Sequence, residues 1–469
     1  MRPVMRASLA IAILLAVGCT ETEHPQVMPG LMIERTDQAM SFSDPKRCAE
    51  CHPNHFEQWS MSNHAYAAKD PVFHAMVRLG QKQTKGKLGS FCIQCHSPAG
   101  LATGQTEVYL DEESGEYRQN TEDLDPAAAA GVSCDVCHCV TEVVEPFNAR
   151  MVLTPDGTMR GTIADPAPNP AHASTFSPLH AKSELCSACH AVVNPKGALV
   201  EQTFGEWESS SAAAKGKQCQ DCHMPEYIGA AASDGRQRTL HAHTFVGVDV
   251  SLLPREEFPG YQTMRNLAAA LLRTAVDMTV AASDEGVVVT LKNQAGHAVP
   301  SGATAERQMW LEVIATDEEG KVVFESGTLD AGGDLRDGVE GHSLEPGSDP
   351  DLVFYGQQMV SSPDQDVECI PVAQGAVPPT EDAKPVHFPW QADWQCDYLL
   401  APDATDTWRY SLEALPPGAY YVSVRLMFRT FPMYFLRKLE EEADLDPAVK
   451  FRVPTVEMAG AEVLYLRSH

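Results

Sequence analysis

Ten of the fourteen cysteines fall into five Cys-x-x-Cys pairs, and each pair is followed at once by histidine. The five are Cys48-Ala-Glu-Cys51-His52, Cys92-Ile-Gln-Cys95-His96, Cys134-Asp-Val-Cys137-His138, Cys186-Ser-Ala-Cys189-His190 and Cys219-Gln-Asp-Cys222-His223. Chance placement at this composition would give on the order of 0.01 such motifs, so the pattern is no accident. Two thiols three positions apart on a helical turn reach both vinyl groups on one edge of a haem and form thioethers. The adjacent imidazole then swings under the ring to ligate iron. Zinc is the main rival, but zinc ribbons space their knuckles about 15–20 residues apart. Here 40, 38, 48 and 29 residues separate successive pairs, and five is an odd number to pair. A thioredoxin-like site would be single, and a disulfide scaffold would not repeat the histidine. The motifs therefore imply five covalently bound haem c groups, with the ten cysteines as thioether donors. His52, His96, His138, His190 and His223 become the proximal iron ligands.

What such irons can do depends on the sixth ligand. An iron closed by a second histidine transfers electrons, whereas an open position admits a small molecule. Twelve histidines lie outside the motifs: 24, 55, 64, 74, 172, 180, 241, 243, 297, 342, 387 and 469. Several stand in recognisable company. The first motif is followed by Trp59-Ser-Met-Ser-Asn-His64-Ala65. The second runs on into Ser97-Pro98, the third is preceded by Gly131-Val132-Ser133, and the fifth continues into Met224-Pro225. Asn169-Pro-Ala-His172 and Ser177-Pro-Leu-His180 lead into Ser183-Glu-Leu-Cys186. His243-Thr-Phe245-Val-Gly247 and Gly296-His297-Ala-Val-Pro300 come later. Over residues 44 to 310, and more loosely beyond, this resembles the cytochrome c-554 and hydroxylamine-oxidoreductase-like multihaem cytochromes. The resemblance implies His64 as a distal ligand, and His172, His180, His243 and His297 as the other distal candidates. His241 competes with His243, and His55 and His74 are spare. His180 could instead hydrogen-bond a propionate, which would leave one iron open.

The rest of the composition bounds the setting. With 35 Lys+Arg against 64 Asp+Glu, the formal charge is −29, and no basic stripe offsets it. Binding to nucleic acid through its phosphates is disfavoured, as is electrostatic adhesion to anionic lipid. Residues 1–18 combine two positive charges, a short apolar run and a small residue at the cut, and read as a secretory leader. Ala16-Val17-Gly18-Cys19 resembles a bacterial lipobox, which makes Cys19 the lipidated first residue of the mature chain; the alternative is an ordinary leader with an incidental cysteine. No later apolar run reaches 18 residues. The expectation is an exported protein, lipid-anchored in the cell envelope, periplasmic or at the outer membrane.

The elements that must position the haems come next. Residues 19–43 read as a polar tether and 44–260 as a loop-rich, mainly α pentahaem region. Residues 106–130 form an acidic insertion, either a solvated loop or a docking surface. Residues 261–274 make a connecting helix. Over 275–469 the period changes, with short β-branched or aromatic segments at 276–280, 287–291, 310–314, 322–324, 408–412, 420–426 and 461–465. That pattern predicts an antiparallel β-sandwich, so the fold class is α+β. His297 lies between its early strands, which predicts that this part packs on the haem region and donates a ligand. A short surface helix is expected at 436–443. Cys369 and Cys396 are expected to form a disulfide. Cys139 has no evident partner.

No nucleotide loop, nucleophile elbow or zincin motif is present. An electron carrier between redox proteins with basic docking surfaces is therefore favoured. The alternative is an oxidoreductase with one open haem acting on a small nitrogen or sulfur compound. A third reading, a haem filament with ligands donated between copies by His24 or His387, fits a large β-domain and a lipid anchor less well.

Overall fold

Prolines and short polar caps cut the first 260 residues into brief helices. In the computed structural model, which describes residues 32–33, 41–339, 341–345, 347–362 and 384–468, the longest helix before residue 260 is Pro71–Thr84. Proline opens it where no amide partner is needed, Asp70 caps it by accepting from Val72 N, and Lys85 ends it in a left-handed conformation. The leader, Cys19, most of the tether, and Cys369 lie outside the described residues. Cys396 is fully buried on the strand Trp394–Tyr398 and is disulfide-bonded.

Only small ladders interrupt the helices. The acidic insertion forms a hairpin, Val108–Leu110 against Tyr117–Gln119. Gln81 holds it by donating from Nε2 to Gln119 Oε1 at 2.8 Å. Thr158–Gly161 pairs with Ala173–Phe176, and Glu226–Ala230 with Gln237–His241.

The helix Tyr261–Ala275 runs straight into the strand Val276–Ala282, where the period changes from helical to alternating. Two antiparallel sheets follow. Val276–Ala282, Gly286–Asn293 and Thr405–Ser411 make the smaller one. The larger has seven strands, among them Gln308–Thr316 and Gly418–Arg429 in its interior and Thr455–Arg467 at its edge. Val287, Val289 and Leu291 of the first and Leu311, Val313, Val422, Val424 and Leu426 of the second form one buried core. This alternation of buried and exposed side chains is what two sheets packed face to face require. Gly327 is needed where it stands: its φ is 70°, and a Cβ there would lie 2.0 Å from Leu311 O.

The structure is α+β, as the sequence implies, with one correction to its elements. The helix Met433–Ala443 is not a surface helix. It buries Phe435, Leu436, Leu439 and Ala443 against Val72, Ala75 and Leu79 of the Pro71–Thr84 helix, with Phe388 and Trp390 between them. This apolar cluster joins the β-rich part to the haem region. Polar ties reinforce it: Arg307 pairs both guanidinium nitrogens with Asp249 at 2.9 Å, and Asn194 Nδ2 donates to Pro389 O and Ala392 O at 2.7 Å.

Candidate haem-binding site

Each attachment motif sits on a single helical turn. Cys134–His138 and Cys219–His223 are helices in full, the first capped by Ser133. In the others the turn closes through His52 N to Cys48 O, His96 N to Cys92 O and His190 N to Cys186 O, at 2.8–3.2 Å. The turn sets the two thiols and the imidazole on the spacing a haem edge needs. All ten motif cysteines are free thiols in the chain as described.

The five proximal rings share one hydrogen-bonding scheme. His52 Nδ1 donates to Ala231 O (2.5 Å), His96 to Ala67 O (3.1 Å), His138 to Arg160 O (2.5 Å) and His223 to Val246 O (2.6 Å). His190 Nδ1 faces Glu201 Oε1 at 3.3 Å. A carbonyl oxygen only accepts, so the proton sits on Nδ1 and the Nε2 lone pair is left for a metal. Such a partner orients a ligating imidazole, and a carboxylate partner makes it more basic.

The distal candidates can be judged by distance. A metal–imidazole bond of about 2.0–2.1 Å, plus about 1.1 Å to the ring centre, puts two trans imidazoles about 6.3 Å apart. His172 stands 6.2 Å from His52, His297 6.2 Å from His223, His243 6.4 Å from His138 and His64 6.4 Å from His190. His172, His243 and His297 each turn Nδ1 to a carbonyl, of Ala173, His241 and Ala298, and so keep Nε2 free. His64 differs, for its Nδ1 is buried with no partner at all. An orphaned polar atom of this kind, on a ring 6.4 Å from His190, fits an iron held between the two. Burial first, and neighbouring histidines second, pull His64 and His243 down to about 3; burial with similar neighbours pulls His297 to about 4. At neutral pH all three are uncharged, the form that binds a metal.

His180 is placed otherwise. Its ring lies 5.7 Å from His138, but Nδ1 bonds Ser177 Oγ at 2.9 Å and Nε2 donates to Cys137 O at 3.0 Å. Neither nitrogen is left over. Among the spare rings, His55 also stands 6.3 Å from His52 but spends Nε2 on Tyr227 OH. His241 and His74 spend Nδ1 on Met224 O and Thr121 Oγ1, and they form no ring pair with a proximal imidazole at that spacing among the described residues. His96 is the exception on the proximal side. The ring stacked on it is Phe73, at 4.5 Å and nearly parallel, and no described imidazole faces it as the other four pairs face each other. Nothing in the sequence marks Phe73 for this position, because a phenylalanine on an amphipathic helix is ordinarily core.

The motif cysteines also approach one another between haem sites. The thiols of Cys48 and Cys134, of Cys95 and Cys189 and of Cys186 and Cys219 lie close enough to perturb one another. These thiols stand in for the thioether sulfurs of the mature protein, so the attachment edges of different sites meet. Cys139 is buried, and burial pushes its thiol up to about 12.

Repeated haem-attachment turns, tautomer-fixed proximal rings and opposed imidazole pairs define a multihaem c-type cytochrome that binds haem c. Residues 47–139, which hold the first three motifs and His64, match the family described as cytochrome c554 and c-prime. Over that segment the chain is similar to cytochromes of this family. No curated protein matches it. Among solved structures, the penta-heme cytochrome c552 from Thermochromatium tepidum shares the fold, with a TM-score of 0.58 and 21% identity over 90% of this chain and 98% of that one.

Proposed function

We propose that the chain binds five haem c groups and passes single electrons between redox proteins at the cell envelope. The observation that carries this reading is the set of four imidazole pairs at trans spacing, His52/His172, His138/His243, His190/His64 and His223/His297. Haem held by two imidazoles supplies one-electron chemistry and leaves no position for a substrate. The chain sets the rings in opposed pairs, and it brings the attachment edges of the first and third, second and fourth, and fourth and fifth motifs together. Those approaches support short transfer steps within two groups, the first with the third site and the second with the fourth and fifth. Cys51 and Cys222 are the exposed motif cysteines, which favours the first and fifth sites as points of exchange with partners.

A second reading has one specific support, the absence of a described imidazole opposite His96. An open iron there would make the chain an oxidoreductase acting on a small nitrogen or sulfur compound. Electron paramagnetic resonance of the oxidised protein, with haem counted by pyridine haemochrome, separates the two. Five haems with only low-spin ferric signals uphold the carrier. A stoichiometric high-spin signal that shifts with nitrite, hydroxylamine or cyanide moves the reading to an enzyme.

Attachment of haem c outside the cytoplasm agrees with the leader, and Cys19 as a lipid anchor completes the envelope setting. Replacing Cys19 by Ala should move the protein from the membrane to the soluble fraction. An unchanged distribution would remove the anchor.

A further inference from the structure

Away from the haem ligands, a cleft in the β-rich part gathers His342, His387, Asp337, Gln357 and Tyr434. The two imidazole centres stand 5.6 Å apart at 49°. This is shorter than the 6.2–6.4 Å of the four opposed pairs described above. Two rings on one ion at a tetrahedral to trigonal angle have centres about 5.2–5.5 Å apart, by the bond length used for the trans case.

The surroundings are those of a held ligand. Asp337 Oδ2 accepts from His342 Nδ1 at 2.7 Å, a carboxylate–histidine contact that fixes the tautomer and leaves Nε2 its lone pair. The Tyr434 ring lies flat on the same imidazole, 3.5 Å away and 6° from parallel, and Arg437 Nη2 donates to His342 O. His342 therefore cannot turn. Neither ring nitrogen of His387 makes a hydrogen bond among the described residues. Gln357 is 6% exposed and spends Nε2 on Asp397 Oδ1, while its Oε1 is buried without a partner. This orphaned amide oxygen belongs to a residue that lines the same cleft as the two imidazoles, and a buried acceptor of that kind calls for a cation or a donor.

We infer that this cleft binds a divalent transition-metal ion through His342 Nε2, His387 and Gln357 Oε1, with water completing the set. No described group of three or more His, Cys, Asp or Glu side chains gathers at one point, so this is a two-imidazole site with open positions. Nitrogen donors with one amide oxygen favour copper(II) over zinc(II), and both over magnesium or calcium.

The test uses the full haem-loaded protein, dialysed against chelator and titrated with copper sulfate, with uptake read by equilibrium dialysis and metal analysis. One copper per chain is expected, displaced by excess zinc and not by magnesium. Its paramagnetic resonance signal should show nitrogen hyperfine structure. His387→Ala should weaken uptake about tenfold or more, and Asp337→Asn, which frees the His342 ring, about 10–100-fold. Haem content checks folding, and His387→Gln replaces any variant that loses haem. The absence of saturable uptake, or the same uptake in His387→Ala or His387→Gln, would overturn the assignment.

Discussion

At the scale of single residues, the decisive feature is which ring nitrogen is already spent. His243 and His180 both lie near His138, yet only His243 retains a nitrogen. His243→Ala should therefore convert one haem from low to high spin, while His180→Ala should leave the spin states unchanged and cost only local hydrogen bonds. The ferric resonance spectra of the two variants decide this, and a high-spin signal from His180→Ala alone would reverse the roles. His190 carries a second consequence. Its Nδ1 partner is the Glu201 carboxylate where the other proximal rings have carbonyls. A charged partner makes the imidazole a stronger donor to ferric iron, so Glu201→Gln should raise the reduction potential of one haem and leave the others in place. Spectropotentiometry would show that shift, and five unmoved potentials would refute it. The attachment residues are legible in the sequence because thioether and proximal bonds are made within five consecutive positions. The partner of each distal ring is not, since His52 faces His172 and His64 faces His190 across more than a hundred residues of chain.

At the scale of elements, the join between the two parts is apolar. Phe435 is 2% exposed and packs with Phe388, Phe431 and the Pro71–Thr84 helix. Phe435→Ala should cost about 3–5 kcal/mol, seen as a lower denaturant midpoint. A change within error would mean that the helix docks by its polar contacts. This helix is misread from sequence because Leu436-Arg-Lys-Leu-Glu-Glu-Glu-Ala is mostly charged, and only the 3.6-residue stripe beginning at Phe435 shows the buried face. The strand Phe354–Ser361 escapes notice for the opposite reason. It is buried on both faces, so Gly356, Gln357 and Gln358 break the two-residue alternation that marks the outer strands. Beside it, burial pushes the Glu306 carboxyl up to about 8 from an ordinary 4.5. The fold keeps that proton while the unfolded chain releases it. This contribution to stability is complete below pH 4.5 and is lost as pH rises from 4.5 to 8. Glu306→Gln should match the parent near pH 4.5 and gain on it in melting temperature towards pH 8. A constant difference across that range would show that the carboxylate is already charged in the fold.

The whole molecule carries −29 formal charges, and its field is the property a partner meets first. Ion pairs do not cancel that field where it is densest. Asp111, Glu116 and Glu122 of the hairpin segment are matched by Arg118, Lys82 and Arg78, but Glu112 and Glu113 at its tip are exposed and unmatched among the described residues. Exposed pairs of this kind add little to stability, so the excess acid has to be explained by what lies outside the chain. A cationic redox protein would be drawn in over a distance set by salt, about 30 Å at 0.01 M and about 3 Å at 1 M. If the chain exchanges electrons with such a partner, the second-order rate with a basic monohaem cytochrome should fall steeply between those salt concentrations, while the first-order rate inside a preformed complex should not. Stopped-flow measurement at a series of ionic strengths separates the two. A second-order rate indifferent to salt would mean that docking relies on apolar surface, and the acidic face would then serve solubility alone.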